Sequence, residues 1–489
     1  MLLGREPQKW ESNPMQPPNE PPAGSALEQL LALEAAHGLW HRELLGYPFW
    51  PSQRLGYSLK LSNLHVRSQE KLRSERSKAR LKRIARSGLD TASKLRTASR
   101  RDIWVLSSTV YRRRIGEADT CIFAQHLQEQ LGDRLLFLEN NPNLAPVSPA
   151  PDRLFIDSLL LTARELAGKS TPLCRAVVRK QLAELSDAGI SADSALKEAI
   201  AGQIQYQIWI RLLRRYRPRA VFVLCGYSQH IPCQLAARRL NIPLIELQHG
   251  IIHSGHAGYA FGDEVRIPHA PNHIVVFGRR FGKLLDHSAY WQGKWSIGGH
   301  PWLRRIRALH ATTSLGKPLI AIFSQNTAVV QHRLRAFALE LRRLMPQPVE
   351  IVLKPHPGEV DAERVYEELV ANGVTVADRM SDSYALLART TVSICEFSTL
   401  ALEALAFPCH SLVLHSSALS GDLHDLAQAG VLNLVNSAHD VAPFLGLGAV
   451  TEQREQIVDS YFAFHSAEPD FAALIARCES TTSSSPDRL

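Results

Sequence analysis

The chain has 489 residues, of which 45% are hydrophobic and 21% are charged, so it can bury a sizeable core in more than one domain. Its seven cysteines are scattered and form no Cys-x-x-Cys pair, which argues against a disulfide framework and favours reduced thiols. The formal net charge is +9, and residues 67–101 hold all of this excess, with 13 Lys/Arg against three acids.

The first hundred residues are predicted to form an extension before the globular part. Residues 1–25 are rich in Pro and Asn and contain no apolar stretch of signal-peptide type, so we expect them to be disordered. Residues 26–101 are expected to form a helical extension that ends in the basic arm. The arm favours an anionic membrane surface or a solvated helix over nucleic acid, because no aromatic residues are interleaved to stack bases. We therefore expect a cytoplasmic protein that can sit on the inner membrane.

From Asp102 the sequence alternates short apolar strands with amphipathic helices. The strands of this first series are predicted at residues 103–108, 134–139, 220–225, 243–247 and 273–277, with helical patterns over 152–215 and 231–240. Such alternation predicts parallel strands that are covered by helices on both faces. Residues 102–305 are therefore expected to form an N-terminal, acceptor-binding Rossmann-like domain.

A second series of strands and helices follows. Its strands are predicted at residues 318–323, 350–353, 374–377, 392–396 and 411–414, and its helices at 332–344, 363–371 and 398–407. Residues 306–480 are expected to form a C-terminal nucleotide-binding domain, and the Ser-rich residues 481–489 a disordered tail. The predicted fold class is α/β, with two Rossmann-like doubly wound domains and an N-terminal helical, basic extension.

In open α/β sheets, ligands bind beyond the C-terminal ends of the strands. In the first domain a predicted strand ends in Gln248 and His249, and several histidines and glycines follow. Glycines let the backbone approach a ligand, and imidazoles suit proton transfer or phosphate contact, although a Gly-rich surface loop would look the same. The residues taken as candidates for the acceptor side are Gly250, His253, His256 and Tyr259. The His-x-x-His spacing alone does not predict a metal, because no acidic or cysteine residue completes a ligand set.

Three further positions are predicted to hold the donor. Gly299 and His300 fall at the domain junction, where they either offer backbone N–H groups to phosphate or form a tight linker turn. Lys354, His356 and Pro357 follow a buried strand, and the prolines make this loop rigid enough to fix an imidazole beside an ammonium group.

The last donor position is a predicted helix start. Ser398 is placed as an N-cap, so that its hydroxyl, that of Thr399 and the free N–H groups of the first turn would face the cleft and bind phosphate. Glu403, one turn later, could reach ribose hydroxyls. Ordinary helix capping and a solvent-facing carboxylate are the alternatives.

Two Rossmann-like domains with a Lys-Pro-His-Pro loop and then a Ser-Thr-x3-Glu-Ala-Leu helix start resemble the GT-B glycosyltransferases of bacterial surface polysaccharide synthesis. The pattern is most similar to the group of sialyltransferases, polysialyltransferases and Kdo transferases. That resemblance implies a CMP-activated sugar as donor, with its phosphate held by His356, Ser398 and Thr399. It also implies a glycan or lipid-linked acceptor of capsule or lipopolysaccharide type, and neither a metal nor a further cofactor.

The sequence departs from this group at one place. Gln248-His249-Gly250 stands where the group carries an acidic motif with the catalytic carboxylate. We therefore predict His249 as the general base, with Gln248, Asp263 and Glu264 as further catalytic candidates. CDP-alditol phosphotransferases of teichoic-acid type and UDP-sugar 2-epimerases resemble the same layout, and a non-catalytic nucleotide-sugar-binding protein on this fold is the competing class.

Overall fold

The computed structural model describes residues 25–61 and 101–484, apart from the positions that follow. They are 116–117, 142–149, 151, 228, 310–316, 346–347, 360, 397, 416–420, 429 and 447–451. Most of the predicted disordered N-terminus, nearly all of the basic arm and residues 485–489 therefore lie outside the described residues.

Two helices of the N-terminal extension pack onto the first domain. Helix α1 spans Ala26–His37 and helix α2 spans Trp50–Leu61. The hydroxyl of Ser25 accepts a hydrogen bond from the N–H of Glu28 and so caps α1. The apolar side chains of the extension share one core cluster with the histidine-containing loop that follows residue 250. The extension is thus part of the domain that carries the predicted acceptor site.

The first domain is built on a seven-stranded parallel sheet. Its strands, with a separate antiparallel hairpin formed by β2 and β3, are β1 Ile103–Ser108, β2 Arg112–Ile115, β3 Ala118–Cys121, β4 Leu135–Asn140, β5 Arg153–Phe155, β6 Ala220–Val223, β7 Leu244–Leu247, β8 His273–Val276 and β9 Trp295–Ile297. The order in the large sheet is β5-β4-β1-β6-β7-β8-β9, and all neighbouring strands are parallel. The central strands are buried on both faces, as their continuous apolar runs predict.

Helices cover both faces of this sheet. They are α3 Gln125–Leu131, α4 Asp157–Val177, α5 Arg179–Asp187, α6 Ala192–Tyr216, α7 Ile231–Arg239 and α8 Arg279–Leu285. Helical patterns were predicted over residues 152–215, and three helices, α4 to α6, fill most of this range, but the short strand β5 precedes them and was missed. A strand of three residues is too short to leave a period in the sequence.

The second domain has a six-stranded parallel sheet. Its strands are β10 Leu319–Phe323, β11 Glu350–Lys354, β12 Thr375–Val376, β13 Val392–Cys395, β14 His410–Leu414 and β15 Asn433–Val435. Their order is β12-β11-β10-β13-β14-β15. The helices from the domain junction to the end of this domain are α9 Pro301–Leu309, α10 Ala328–Leu344, α11 Ala362–Val365, α12 Glu367–Ala371, α13 Ser383–Leu387, α14 Leu400–Glu403 and α15 Gly421–Gln428.

The last two helices return the chain to the first domain. Helix α16 spans Glu452–Phe462, and helix α17 spans Phe471–Ser484 and packs into the core of the first sheet. Its final turn includes residues 481–484, which were predicted to belong to a disordered tail. The apolar face of α17 anchors this helix, so that the last turn forms despite its Ser/Thr content.

The chain crosses between the domains at two places that lie side by side. The N–H of His300, at the first crossing, donates to the carbonyl oxygen of Phe462 at the second, over 3.3 Å. The guanidinium of Arg304 donates to the carbonyl oxygen of Ala463 over 2.8 Å. Gly299 and Ala463 both adopt positive φ values, 70° and 47°, so each crossing turns sharply at a left-handed residue.

The predicted fold class is confirmed: the protein has two Rossmann-like doubly wound domains with an N-terminal helical extension. In each sheet the strand order reverses beside the first strand of the domain, next to β1 and next to β10. These switch points are where such sheets bind ligands. None of the helices among the described residues combines the length and apolarity needed to span a membrane.

Candidate functional site

The C-terminal edges of the two sheets face each other across one cleft. Gly250, just beyond β7, lies so close to the second domain that a Cβ atom placed on it would be 4.0 Å from Oγ1 of Thr399. Arg113, on the β2–β3 hairpin, acts electrostatically on His356 and Glu403 in the other domain. The structure therefore brings the turn of Gly250 in the first domain next to Thr399 in the second.

His249 lies in an aromatic pocket at the tip of β7. Its ring centroid is 5.6 Å from that of Tyr111, 6.4 Å from that of Phe123 and 5.7 Å from that of Tyr227. Its Nε2 is 3.3 Å from the Tyr227 hydroxyl, whereas its buried Nδ1 has no hydrogen-bond partner among the described residues. Burial lowers the pKa of this imidazole to about 4, so the ring is neutral at neutral pH.

Gln248 has a different role from the one predicted. It is buried, its Nε2 donates to the carbonyl oxygen of Gly250 over 2.7 Å, and its Oε1 accepts from the N–H of Phe277 over 2.7 Å. Both ends of the amide are thus occupied in joining the ends of β7 and β8. Gln248 shapes the turn that presents His249 and is not itself available for chemistry.

The other predicted residues of this loop stand close together. The rings of His253 and His256 are 5.3 Å apart, and those of His256 and Tyr259 are 5.0 Å apart. The Nδ1 of His256 accepts a hydrogen bond from the N–H of Gly258 over 3.0 Å. Burial lowers the pKa of His253 to about 4 and that of His256 well below its usual value. Both imidazoles are therefore neutral at neutral pH, and both side chains are partly exposed.

Asp263 and Glu264 have surroundings that differ from those of a catalytic base. Asp263 is exposed, and a carboxylate oxygen of Glu264 lies 3.5 Å from the His41 imidazole of the N-terminal extension. Glu264 also accepts a hydrogen bond from the N–H of Arg266 over 2.9 Å. These contacts fit a loop anchor, and they correct the expectation that these two carboxylates could serve as the base.

Glu246 is a residue of this site that sequence reasoning missed. It lies near the end of β7, is 1% exposed, and accepts hydrogen bonds from the Tyr259 hydroxyl over 2.8 Å and from the N–H of Gly226 over 3.1 Å. Burial raises the pKa of its carboxyl group to about 7. A Cβ atom on Gly226 would lie 2.5 Å from the carboxylate, so this approach requires glycine. A charged residue inside an apolar strand was the available signal.

Arg113 is the second missed residue. Its Nη1 donates hydrogen bonds to the carbonyl oxygens of Val110 and Arg112, and these bonds fix the guanidinium at the base of the β2–β3 hairpin. After the effect of burial, the charge of Arg113 is the largest contribution that lowers the pKa of Lys354, to about 8. The first domain thus adds a cation to the donor side of the cleft.

The loop after β11 holds His356 between two braces. The N–H of His356 donates to Glu359 over 2.8 Å, and its Nδ1 accepts from the N–H of Gly358 over 3.0 Å, so the proton of the neutral ring is on Nε2. The side chain reaches the surface of the cleft. Desolvation by the cleft walls, and then the charges of Lys354 and Arg113, lower the pKa of this imidazole.

Lys354 is a brace and not the exposed anion ligand that was predicted. It is 2% exposed, and its ammonium group donates to the carbonyl oxygens of Pro355 over 3.1 Å and Arg379 over 2.7 Å. The guanidinium of Arg379 in turn donates to the carbonyl oxygen of Pro357 over 2.6 Å. Lys354 therefore ties the loop of His356 to the neighbouring loop and contributes to anion binding only through its charge.

Ser398 and Thr399 border the cleft at the end of β13, and both are partly exposed. The Ser398 hydroxyl accepts a hydrogen bond from the N–H of Leu400 over 3.2 Å, although Thr399 is the N-cap residue. The predicted helix over 398–407 is shorter than expected, because α14 ends at Glu403 and continues as a tighter turn. The two hydroxyls are thus presented by a turn.

Glu403, Gly299 and His300 meet at the domain junction and away from solvent. Nε2 of His300 lies 4.0 Å from Oε1 of Glu403, and the Tyr384 hydroxyl donates to the same carboxylate. Burial raises the pKa of Glu403 to about 7 and lowers that of His300 to about 3. The Nδ1 of His300 accepts from the N–H of Leu303 at the start of α9. These contacts fit a tight linker turn at Gly299 and His300 and a junction carboxylate at Glu403, in place of the donor-binding roles predicted.

One group of potential metal ligands occurs among the described residues. His126, Glu129 and Glu468 can bring ligand atoms within 4.8 Å of one another. Two of the three are exposed carboxylates, an arrangement that is common without a metal. The group shares no residue with the predicted site, so it gives no reason to place a metal in the cleft.

Comparison with known proteins finds only distant similarity. No protein-family model and no curated protein matches the sequence. Among solved structures, the UDP-GlcNAc 2-epimerase of Methanocaldococcus jannaschii is 11% identical to this chain, and the match has a TM-score of 0.44. It covers 72% of this chain and 93% of the epimerase chain. The trehalose 6-phosphate synthase of Burkholderia multivorans is 13% identical, with 80% and 100% covered and a TM-score of 0.44. MurG of Acinetobacter baumannii is 12% identical, with 78% and 99% covered and a TM-score of 0.41. At these values the likeness does not extend to activity, which has to be argued from the site.

Proposed function

We propose that the chain is a glycosyltransferase that moves a sugar from a nucleotide-activated donor to a hydroxyl group of a surface-polysaccharide or lipid-linked acceptor. A CMP-sugar such as a sialic acid or Kdo is the favoured donor, from the resemblance of the donor loops. The observation that carries the proposal is the close approach of Gly250, next to His249 in one domain, to Thr399 in the other, where a Cβ atom on Gly250 would lie 4.0 Å from Oγ1 of Thr399. The charge of Arg113, from the first domain, also acts on His356.

The donor phosphate would bind between these groups. His356 offers an N–H at Nε2, Ser398 and Thr399 offer hydroxyls, and Arg113 and Lys354 supply positive charge. In the transfer, the bond between the anomeric carbon and the phosphate oxygen breaks, and its electron pair stays on the leaving phosphate. Donors that are already in place stabilise this charge as it develops, which is the largest electrostatic task of the reaction.

The proton of the acceptor hydroxyl would pass to His249. The oxygen of the acceptor hydroxyl forms the new bond to the anomeric carbon. Nδ1 is the ring nitrogen without a hydrogen-bond partner among the described residues, and because it is buried, the surrounding aromatic side chains have to part before the acceptor reaches it. The contact between Nε2 and the Tyr227 hydroxyl fits either tautomer of the neutral ring, and the role of base requires the one with the proton on Nε2, in which Nδ1 carries the lone pair. A pKa of about 4 makes a weak base, but an anionic donor bound nearby would raise it towards neutrality.

Nucleotide release tests the proposal. The full chain is incubated with CMP-, CDP- and UDP-activated donors, with and without a glycan acceptor, and free nucleotide is measured. A donor present at a concentration of a hundred times its Kd should also stabilise the folded protein by about 2.7 kcal/mol, which a thermal shift assay detects. Acceptor-dependent release of CMP that is lost in His249→Ala and in His356→Ala is the expected result.

The other outcomes each identify a different protein. Transfer of a phosphoalditol from a CDP-activated donor would indicate an enzyme of teichoic-acid type. Acceptor-independent conversion of a UDP-sugar to its 2-epimer would indicate an epimerase. Stabilisation by a nucleotide-sugar with no release or conversion would indicate a binding protein. Any of these results would replace the proposed transfer.

A further inference from the structure

Three large apolar side chains protrude from one helix of the first domain. On α4, Leu173 is 79% exposed, Val177 is 78% exposed and Leu166 is 45% exposed. Their spacing of seven and four residues puts them on one face of the helix. Contiguous apolar groups that project into solvent from a well-packed element mark an interaction surface more often than a defect.

Cations surround these apolar groups. Between residues 164 and 180 the sequence has five basic residues and one acidic residue, Glu165. The basic residues, all of them exposed, are Arg164, Lys169, Arg175, Arg179 and Lys180. Only Arg175 of these has a carboxylate partner among the described residues, Asp193. We call these five cations, together with Leu166, Leu173 and Val177, the α4–α5 patch.

The patch is held rigidly by the opposite face of the same helix. Leu160 of α4 packs with Trp209 and Leu213 against the sheet, and Ala167 packs in the cluster that contains the N-terminal extension. The Thr171 hydroxyl donates to the carbonyl oxygen of Ala167 over 2.8 Å on this inner side. The apolar tips are therefore preformed and need no rearrangement to be presented.

The charge of the patch decides what can cover it. Helix α2 lies beside the end of the patch, since a Cβ atom on Gly189, in the turn after α5, would lie 3.5 Å from the Tyr57 hydroxyl on α2. The basic stretch 67–101, which follows α2 in the sequence, carries the same sign of charge as the patch. Like charges repel, so an anionic surface fits the patch and the chain's own basic stretch does not.

We propose that the α4–α5 patch docks the protein on an anionic lipid surface. Leu173 and Val177 enter the headgroup region, and the flanking arginines and lysines contact lipid phosphates. This combination of apolar insertion and cationic attraction is how amphipathic surface helices hold to membranes. A groove of about 500 Å³ beside the patch is lined by Arg175, Arg179 and Leu182 and also by Asp193, which pairs with Arg175, so Arg179 is the cation there that is left for a lipid phosphate. The inference does not depend on the proposed transfer reaction.

Sedimentation with vesicles tests this docking. The full chain is mixed with phosphatidylcholine vesicles that contain or lack phosphatidylglycerol, and the bound fraction is measured at low and at high salt. Wild-type protein should bind the anionic vesicles, and the double variant L173S/V177S should bind about tenfold more weakly. The difference should persist at high salt, because screening weakens the attraction of the sequence's other cations but not apolar insertion.

A matched pair of exposed apolar residues on the second domain provides the control. Val329 and Val370 are exposed apolar residues like Leu173 and Val177, but they lie outside the α4–α5 patch. V329S/V370S should therefore leave vesicle binding unchanged. A thermal melt and the nucleotide-induced shift show whether each variant is folded. Equal binding of wild type and L173S/V177S at high salt would overturn the proposal. So would a wild-type dimer that this variant dissociates while vesicle binding is unaltered, since the patch would then bind a second copy of the chain.

Discussion

Replacing Glu34 with alanine is expected to destabilise the protein and to loosen the histidine loop of the cleft. Glu34 and Arg54 form a buried bidentate pair, with Nε to Oε1 at 2.5 Å and Nη2 to Oε2 at 3.0 Å. The indole N–H of Trp50 donates to the same Oε1 over 2.6 Å. Arg54 also donates to the carbonyl oxygen of Ala260 over 2.8 Å, which connects the N-terminal extension to the loop.

The size of the effect follows from what the substitution leaves behind. Arg54 is 3% exposed, so its guanidinium would stay buried without a counter-charge, which costs about 3–5 kcal/mol. The remaining hydrogen bond to Ala260 and the stacking of Arg54 over Trp40, 5.0 Å from the ring centroid, keep the cost within this range. The double variant E34L/R54L removes both charges but leaves the indole N–H of Trp50 and the carbonyl oxygen of Ala260 without these partners. It should therefore be less stable than wild type and more stable than E34A.

Denaturant unfolding and hydrogen exchange measure the two consequences. E34A should unfold at lower urea concentration, and amide exchange should accelerate between residues 256 and 262. An unfolding free energy of E34A within about 1 kcal/mol of wild type would refute the reasoning. So would a double variant that is less stable than the single one, because the buried charge would then not be the cause.

Three further predictions address the cleft and the domain junction. R113M should weaken nucleotide binding about 10- to 100-fold, the value of a charge-assisted hydrogen bond, in a calorimetric titration, whereas the exposed control R389M should not; equal affinities would remove Arg113 from the site. G250C/T399C should form a disulfide under mild oxidation, and the cross-link should stop turnover until it is reduced, because a Cβ atom on Gly250 would lie 4.0 Å from Oγ1 of Thr399 and a small movement of the loop closes the remaining gap. Mass spectrometry detects the bond, the single variants are the controls, and failure to cross-link would contradict the close approach. Burial lowers the pKa of His300 to about 3, so an unfolded chain binds a proton there below about pH 6.5 that the folded chain does not. As the pH is lowered from about 6.5 to about 3, the free energy of unfolding should therefore fall by up to about 1.4 kcal/mol per pH unit. In urea unfolding, H300N, which keeps an oxygen to cap the helix, should show a shallower decrease.

The longer strands of both sheets could be predicted because they are buried on both faces and leave continuous apolar runs, whereas β5 and β15, of three residues each, were missed. The predicted strand 103–108 has the observed bounds of β1, and the other large strands differ by one or two residues. The β2–β3 hairpin was missed because Arg112–Ile115 contains three arginines, which alternation of apolar and polar residues does not detect. A hairpin of this kind is stabilised by its tertiary contacts, such as the buried pair of Arg112 and Glu139 at 2.6 Å.

The site could be predicted as a set of loops but not as a set of roles. Strand ends in the sequence located His249, His356 and the turn at Ser398, since parallel strands bring their C-terminal ends to one edge. The sequence could not show that the polar atoms of Lys354 and Gln248 are hydrogen-bonded to backbone groups. Those backbone groups are distant in the chain or are brought close only by the shape of the loop.

The paired crossings at Gly299 and Ala463 have a mechanical consequence. Two connections that lie side by side and are hydrogen-bonded to each other tie the domains together at one place, so we expect movement between the domains to be a swing about this junction. The spacing between Arg113 and His356 would then change as the domains swing. A ligand that binds to both side chains would stop this swing at one position, and it would exclude water from the cleft in the same movement.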